Sequence, residues 1–298
     1  AAALHATSLR AVLHPPPPRP SVPSNVIAAS LMNQRSTGLC WLFSGMALMQ
    51  AAYRAAHPDE DTHPFFPDMV QLYRWHLRGC VRAFFARLRA AAGDDDAVRG
   101  VLSTPIEDGG SFGMLRHLMV ARGVPLLAEP CTLPRAAVDS GHMLRYLSHI
   151  LRRASDEDAA VAAADCVIDR CLGPPRACTT TWRPDVSHAV MLHAPDRPPG
   201  WLSSFWSNDP LTPLQDPALA TPDVDAVLAV CQRELDSKRP VWATFAVGLD
   251  FDHANGVAGA SASGVLPPPS SATKAARMQS RDIAPNHAML VVGRSADG

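Results

Sequence analysis

The first 58 residues contain neither aspartate nor glutamate. Together with Arg10 and Arg19 in an Ala-rich stretch and the proline run at 15–18, that lack gives residues 1–30 the composition of a disordered leader, with an organelle transit segment as the alternative. Charge of either sign is scarce throughout, at 18% of 298 residues, and the net charge is -1. No overall basic field is therefore present to gather nucleic acid or an anionic membrane. No run of about 18 uncharged apolar residues occurs, which excludes an obvious membrane-spanning helix. Neither G-x-G-x-x-G nor G-x4-G-K-[ST] appears, so the nucleotide-binding folds have no foothold. Internal repeats are missing too.

Cysteines number seven, at 40, 80, 131, 166, 171, 178 and 231. The odd count without dense spacing argues against a disulfide framework and for a reducing, cytoplasmic setting. Cys166, Cys171 and Cys178 cluster, but their x4 and x6 intervals lack the C-x2-C pairing of zinc sites. They are expected to be buried thiols, and no metal or cofactor is expected.

Apolar residues make up 47% of the chain, enough for a substantial core. CWLFSGMALMQAAYRAA, from Cys40, is rich in helix formers and apolar almost all round, as a buried helix is. From Asp68 onward Met69, Tyr73, His76, Leu77, Cys80, Val81, Phe84 and Leu88 recur at helical spacing, predicting a second helix closed by Gly93. His76 and Cys80 are expected on its core face. EDGGSFGMLRHLMVARGV reads as a loop at Gly109 and Gly110 followed by a short helix that ends at Gly123. Residues 140–173 read as helical, with a polar turn at SDEDAA, and 174–222 as mostly loop. VDAVLAVCQRELDSKRP predicts one more helix, and VWATFAVGLDF and HAMLVVGRS predict strands. Helices first and strands last predict an α+β fold.

Cys40 stands where the first helix begins. The unpaired N–H groups and dipole of a helix start favour thiolate over thiol. A thiolate attacking a carbonyl makes an oxyanion that needs fixed donors. The Cys40 N–H offers one, and the amide of Gln34 offers another if residues 36–39 turn tightly, which Gly38 eases. A base is also required, adjacent in space rather than in sequence.

The stretch 33–44, NQRSTGLCWLFS, resembles the active-site segment of papain-like cysteine peptidases, specifically their bleomycin hydrolase branch. DGGSFGMLRHLMVARGV resembles that branch's Gly-Gly substrate segment, and NHAMLVVG its catalytic-histidine strand. CLGPPRACTTTWRPD, SNDP and VWATFAVGLDFD are similar to further pieces in the same order. The resemblance implies a papain-like fold over residues 31–298: a helical subdomain with large helical insertions, mainly 31–240, and an antiparallel β part, mainly 241–298. It implies Cys40 as nucleophile, His287 as the base and then the acid, and Gln34 as oxyanion donor. Gly109 and Gly110 would pair with substrate, Asn286 would offer its carbonyl beside the scissile bond, and Trp41 would wall the site. His287 follows Cys40 by 287 − 40 = 247 residues, against roughly 130–150 in papain relatives, which fits a branch with inserts. His188, in SHAV, is the alternative base; His117, His142, His149 and His253 are expected to be structural.

The implied activity is a thiol aminopeptidase acting on peptide and related amide bonds, within a hexameric ring. The resemblance also has gaps. No Asn-Ser-Trp-Gly segment to orient the imidazole follows His287 before Gly298, so the chain is expected to be a piece of a longer product, short at both ends. A catalytically impaired homologue serving as an assembly or nucleic-acid-binding subunit, using Arg78, Arg82, Arg87 and Arg89, is one alternative. A papain-like endopeptidase is another.

Overall fold

The helix that carries Cys40, α1 (Cys40–Ala56), buries Trp41, Leu42, Phe43, Met46 and Met49 in its first half and turns toward solvent in its second. The computed structural model describes residues 34, 37–57, 65–106, 108–130, 139–185, 191–192, 219–220, 224–245, 251–252, 257–258 and 287–293. The leader at 1–30, Asn286, His188, His253 and Cys131 lie outside the described residues. The described chain divides into two units, one of residues 29–195 and 199–227, the other of 1–28, 196–198 and 228–298.

In the first unit, α2 (Met69–Ala90) starts where Asp68 accepts the Gln71 N–H at 2.9 Å, a side-chain cap that fixes the first turn. The apolar stripe expected from its spacing is buried at Met69, Tyr73, Leu77, Val81 and Phe84, with His76 among them. A shorter helix that spacing did not signal, α3 (Asp95–Ser103), follows with Asp94 as its cap. Its last carbonyls are taken by arginines: Arg152 donates to Leu102 and Ser103 at 2.8 Å each, and Arg87 reaches the C-cap Thr104 at 3.4 Å and Pro105 just beyond it at 2.8 Å. Cations at a helix C-terminus offset its partial negative charge.

Ser111 caps α4 (Phe112–Arg122), and Gly123 ends it at φ 74°. Only glycine takes that backbone readily, and Thr181 and Trp182 crowd the place where a side chain would be. The chain then forms β1 (Val124–Leu126), antiparallel to β2 (Thr180–Trp182). Pro125 also accepts the Asp68 N–H at 2.8 Å, so this ribbon pins the entrance to α2. Helices α5 (Gly141–Arg152) and α6 (Glu157–Leu172) meet along Met143, Leu147 and Leu151 on one and Ala160, Ala164, Ile168 and Leu172 on the other. Those residues fall three or four apart, the helical facing interval. Ion pairs tie α6 to α2: Arg74, 1% exposed, meets Asp169 at 3.0 Å, and Arg78 meets Asp165 at 3.1 Å and Asp169 at 3.0 Å. A two-residue parallel pair, β3 (Met191–Leu192) with β4 (Leu219–Ala220), completes the described strands of this unit. The helix α7 (Val224–Asp236) begins here and ends in the second unit.

The second unit contains β5 (Val241–Phe245), β6 (Phe251–Asp252), β7 (Val257–Ala258) and β8 (His287–Val291). β5 and β8 pair antiparallel over five residues, with Val241 opposite Val291 and Phe245 opposite His287. The order of helices first and an antiparallel strand pair last is the α+β arrangement expected from the sequence.

Candidate active site

Three to six residues ahead of Cys40, the chain closes a small clasp. The Gln34 Nε2 donates to the Thr37 carbonyl at 2.8 Å, and the Thr37 hydroxyl donates to the Gln34 carbonyl at 2.7 Å. An amide NH2 has two hydrogens, so one bond to Thr37 fixes the group while its second donor keeps a set direction. Gly38 comes next, with its N–H donating to Asp108 Oδ2 at 2.7 Å. The expected reason for glycine here was an easy turn, and the structure gives another. Gly38 is not among the glycines with positive φ, but a Cβ on it would lie 2.8 Å from the Asp108 carbonyl oxygen. Close approach, rather than conformation, demands the missing side chain.

Leu39 is the N-cap of α1 and makes no side-chain cap bond, and the first turn has no acidic residue. The helical ladder begins with Leu42 and Phe43, whose N–H groups donate to the Leu39 carbonyl at 3.0 and 2.9 Å. The Cys40 N–H lies ahead of that ladder, at the positive end of the helix. Cys40 is half-buried. Its carbonyl accepts the Ser44 hydroxyl at 2.6 Å, one turn along.

Trp41 has no exposed surface. It therefore stands beneath the Gly-Gly segment instead of presenting a wall to solvent. A Cβ on Gly110 would come 2.3 Å from its ring, so the backbone there rests directly on the indole. Gly109 is exposed beside it. Behind Trp41 sits His76, with ring centroids 4.8 Å apart, and burial pushes the His76 imidazole down to about 4. Its Nε2 is 3.5 Å from Cys80 Sγ, and the pair fills the core face as expected.

Sequence reasoning passed over Asp108. Besides Gly38 it accepts the Tyr73 hydroxyl at 2.8 Å and the Ser140 hydroxyl. Burial, then the Asp108 charge, pushes the Tyr73 hydroxyl well above its usual range, so it stays a donor. The available signal was an acid directly before a glycine pair, in a stretch without a nearby basic residue.

His287, in the second unit, is the first residue of β8 and partly buried, and burial lowers its pKa below the ordinary histidine value. A lowered value favours the neutral imidazole, the form that accepts a proton. Thus the first unit brings Gln34, Cys40, Trp41 and Gly110 together, and the second places His287 at a strand start.

Elsewhere, Cys166 and Cys178 are exposed and Cys171 half-buried, which corrects the expectation of buried thiols. All three lie where α6 ends: its last turns carry two, and the polar chain after Gly173 carries the third. Among the described residues, no group of three or more His, Cys, Asp or Glu is placed to hold a metal ion, and no helix is long and apolar enough to cross a membrane. Of Arg78, Arg82, Arg87 and Arg89 on α2, Arg78 is paired with aspartates, Arg87 with carbonyls and Arg89 with Glu157.

Residues 21–165 match the Peptidase C1-like family. That span holds Gln34, Cys40, Trp41, Gly109 and Gly110, whereas His287 lies beyond it. The crystal structure of PepW from Lactobacillus rhamnosis HN001 (DR20) superposes with a TM-score of 0.72 at 17% identity, covering 94% of this chain and 73% of that one. The fold is papain-like. The family match supports a cysteine peptidase of the papain-like superfamily. Comparison with curated proteins returns no match.

Proposed function

We propose that the chain is a thiol aminopeptidase of the bleomycin hydrolase kind, hydrolysing peptide and related amide bonds. The observation that supports this reading best is the start of α1, where Cys40 stands at an uncapped helix end with the Gln34 amide clasped six residues earlier. Cys40 thiolate attacks the amide carbonyl, and the Cys40 N–H and the Gln34 Nε2 stabilise the oxyanion. His287 accepts the thiol proton, then returns it to the departing amine. Water, activated by the same imidazole, hydrolyses the thioester and restores Cys40. Gly109 and Gly110 pair with the substrate backbone, and Asn286 presents its carbonyl beside the bond that breaks. Peptides are the partners in this reading, a hexameric ring the assembly and the cytoplasm the setting.

Limiting iodoacetamide tests the nucleophile. Cys40 should react faster than the other thiols, since the helix start it occupies favours thiolate. Cys40→Ser should abolish turnover of aminoacyl amides, and Gln34→Ala should lower kcat by about 10² to 10³. Equal labelling of every thiol sinks the proposal. Cleavage within N-terminally blocked peptides, with no release of terminal residues, replaces aminopeptidase by endopeptidase.

A further inference from the structure

We infer that Asp108 is a positioning residue whose carboxylate sets the loop before Cys40 against the Gly109 and Gly110 segment. What that loop does rests on the peptidase reading above; how it is held rests on hydrogen bonds alone. Oδ2 accepts from the Gly38 N–H at 2.7 Å and from the Ser140 hydroxyl, and Oδ1 accepts from the Tyr73 hydroxyl at 2.8 Å. Three donors thus converge from the loop ahead of α1, from α2 and from the residue preceding α5.

An ionised carboxylate accepts without donating, so one side chain satisfies all three. Tyr73 has no exposed surface and Ser140 is 1% exposed, so losing the acceptor would strand donors away from water. The contact is steric as well as polar, because the Asp108 backbone passes directly over Gly38. Gly38 lies between the clasp that holds Gln34 and the helix start that carries the Cys40 N–H. Moving it moves both oxyanion donors. The next two residues after Asp108 are the glycines that pair with substrate, so donors and substrate backbone share one anchor.

The test compares wild type, Asp108→Asn and Asp108→Ala by two readouts. The first is hydrogen exchange of the Gly38 amide, which needs no activity; the second is kcat and KM on an aminoacyl amide. An asparagine with its oxygen in the Oδ2 place keeps Gly38 and Ser140, and its NH2 faces the Tyr73 oxygen, so the Tyr73 O–H alone loses this acceptor. It preserves the geometry without the charge. Asp108→Ala should speed Gly38 exchange by about tenfold and lower kcat by about 10²-fold with KM little changed. Asp108→Asn should stay close to wild type in both. Wild-type exchange at Gly38 in Asp108→Ala overturns the inference, as does an Asp108→Asn variant as impaired as the alanine. If Asp108→Ala does not fold, Tyr73→Phe must raise Gly38 exchange by a smaller factor, and no change overturns the inference. A wild-type chain inactive on every aminoacyl amide would remove the peptidase reading, while the exchange arm would still decide whether Asp108 holds the loop.

Discussion

Burial lowers the His287 pKa below 6.5, and the residue opens its strand opposite Phe245, its cross-strand neighbour among the described residues. An ionised sulfur close by would act in the opposite direction, because a nearby anion favours imidazolium. The two influences can be separated in solution. On the peptidase proposal, in which a Cys40 thiolate faces His287, NMR titration should place the His287 midpoint below 6.5 in Cys40→Ser and higher in wild type. Equal midpoints in both proteins would mean that no charge at position 40 reaches the ring. Single residues also mark the limit of what the sequence discloses. The helix start at Cys40 is legible because an apolar, helix-forming run follows it. Gly38 is legible as a requirement but not in its cause, since only coordinates show the Asp108 backbone above it. The burial of Trp41 and the three bonds of Asp108 depend on residues 32 to 70 positions away, and local pattern carries nothing about them.

At the level of elements, α1 and α4 meet at Gly45, where an added Cβ would lie 2.1 Å from Leu115 Cδ2. Leu115 is itself fully buried and has no open side to move toward. Gly45→Ala should therefore destabilise the protein by about 1 to 3 kcal/mol, as overpacked cores do, even though alanine is the better helix former. A lower urea midpoint at unchanged slope is the expected signature; a midpoint equal to or above wild type would show that the two helices can part without loss. Both helices are visible in the sequence through apolar content, and α2 through its spacing. In contrast, α3 is short and polar, has no buried residue, and takes its C-terminal partners from Arg87 and Arg152 of other helices. The three-residue β1 is too brief for alternation to register and exists by pairing with β2.

Across the whole molecule, the pH dependence of stability should carry the mark of His76. Its faces are occupied by Trp41, Tyr73 and Cys80, and Asp108 opposes the shift without cancelling it. With a folded-state pKa of about 4 against an ordinary 6.5, the unfolded chain binds the proton more readily in between. Stability is therefore complete above about 6.5 and falls as pH drops through that window, by about 3 kcal/mol at pH 4. Between pH 6.5 and 5 the carboxylates stay ionised, so a falling urea midpoint over that interval, flattened in His76→Leu, would identify the histidine. An interval without change would show that the ring is hydrated. The Arg74 and Arg78 ties that hold α2 to α6 are not legible along the chain, because their partners lie about 90 positions on.

The members of the Asp108 cluster are spread along the chain at 38, 73, 108 and 140. Synthesis delivers them in that order, at roughly 5 to 20 residues per second. The thiol emerges early, yet the loop in front of it acquires its last anchor only when residue 140 has left the ribosome. A growing chain thus displays the Cys40 thiol long before the Gly38, Tyr73 and Ser140 donors can all meet at Asp108.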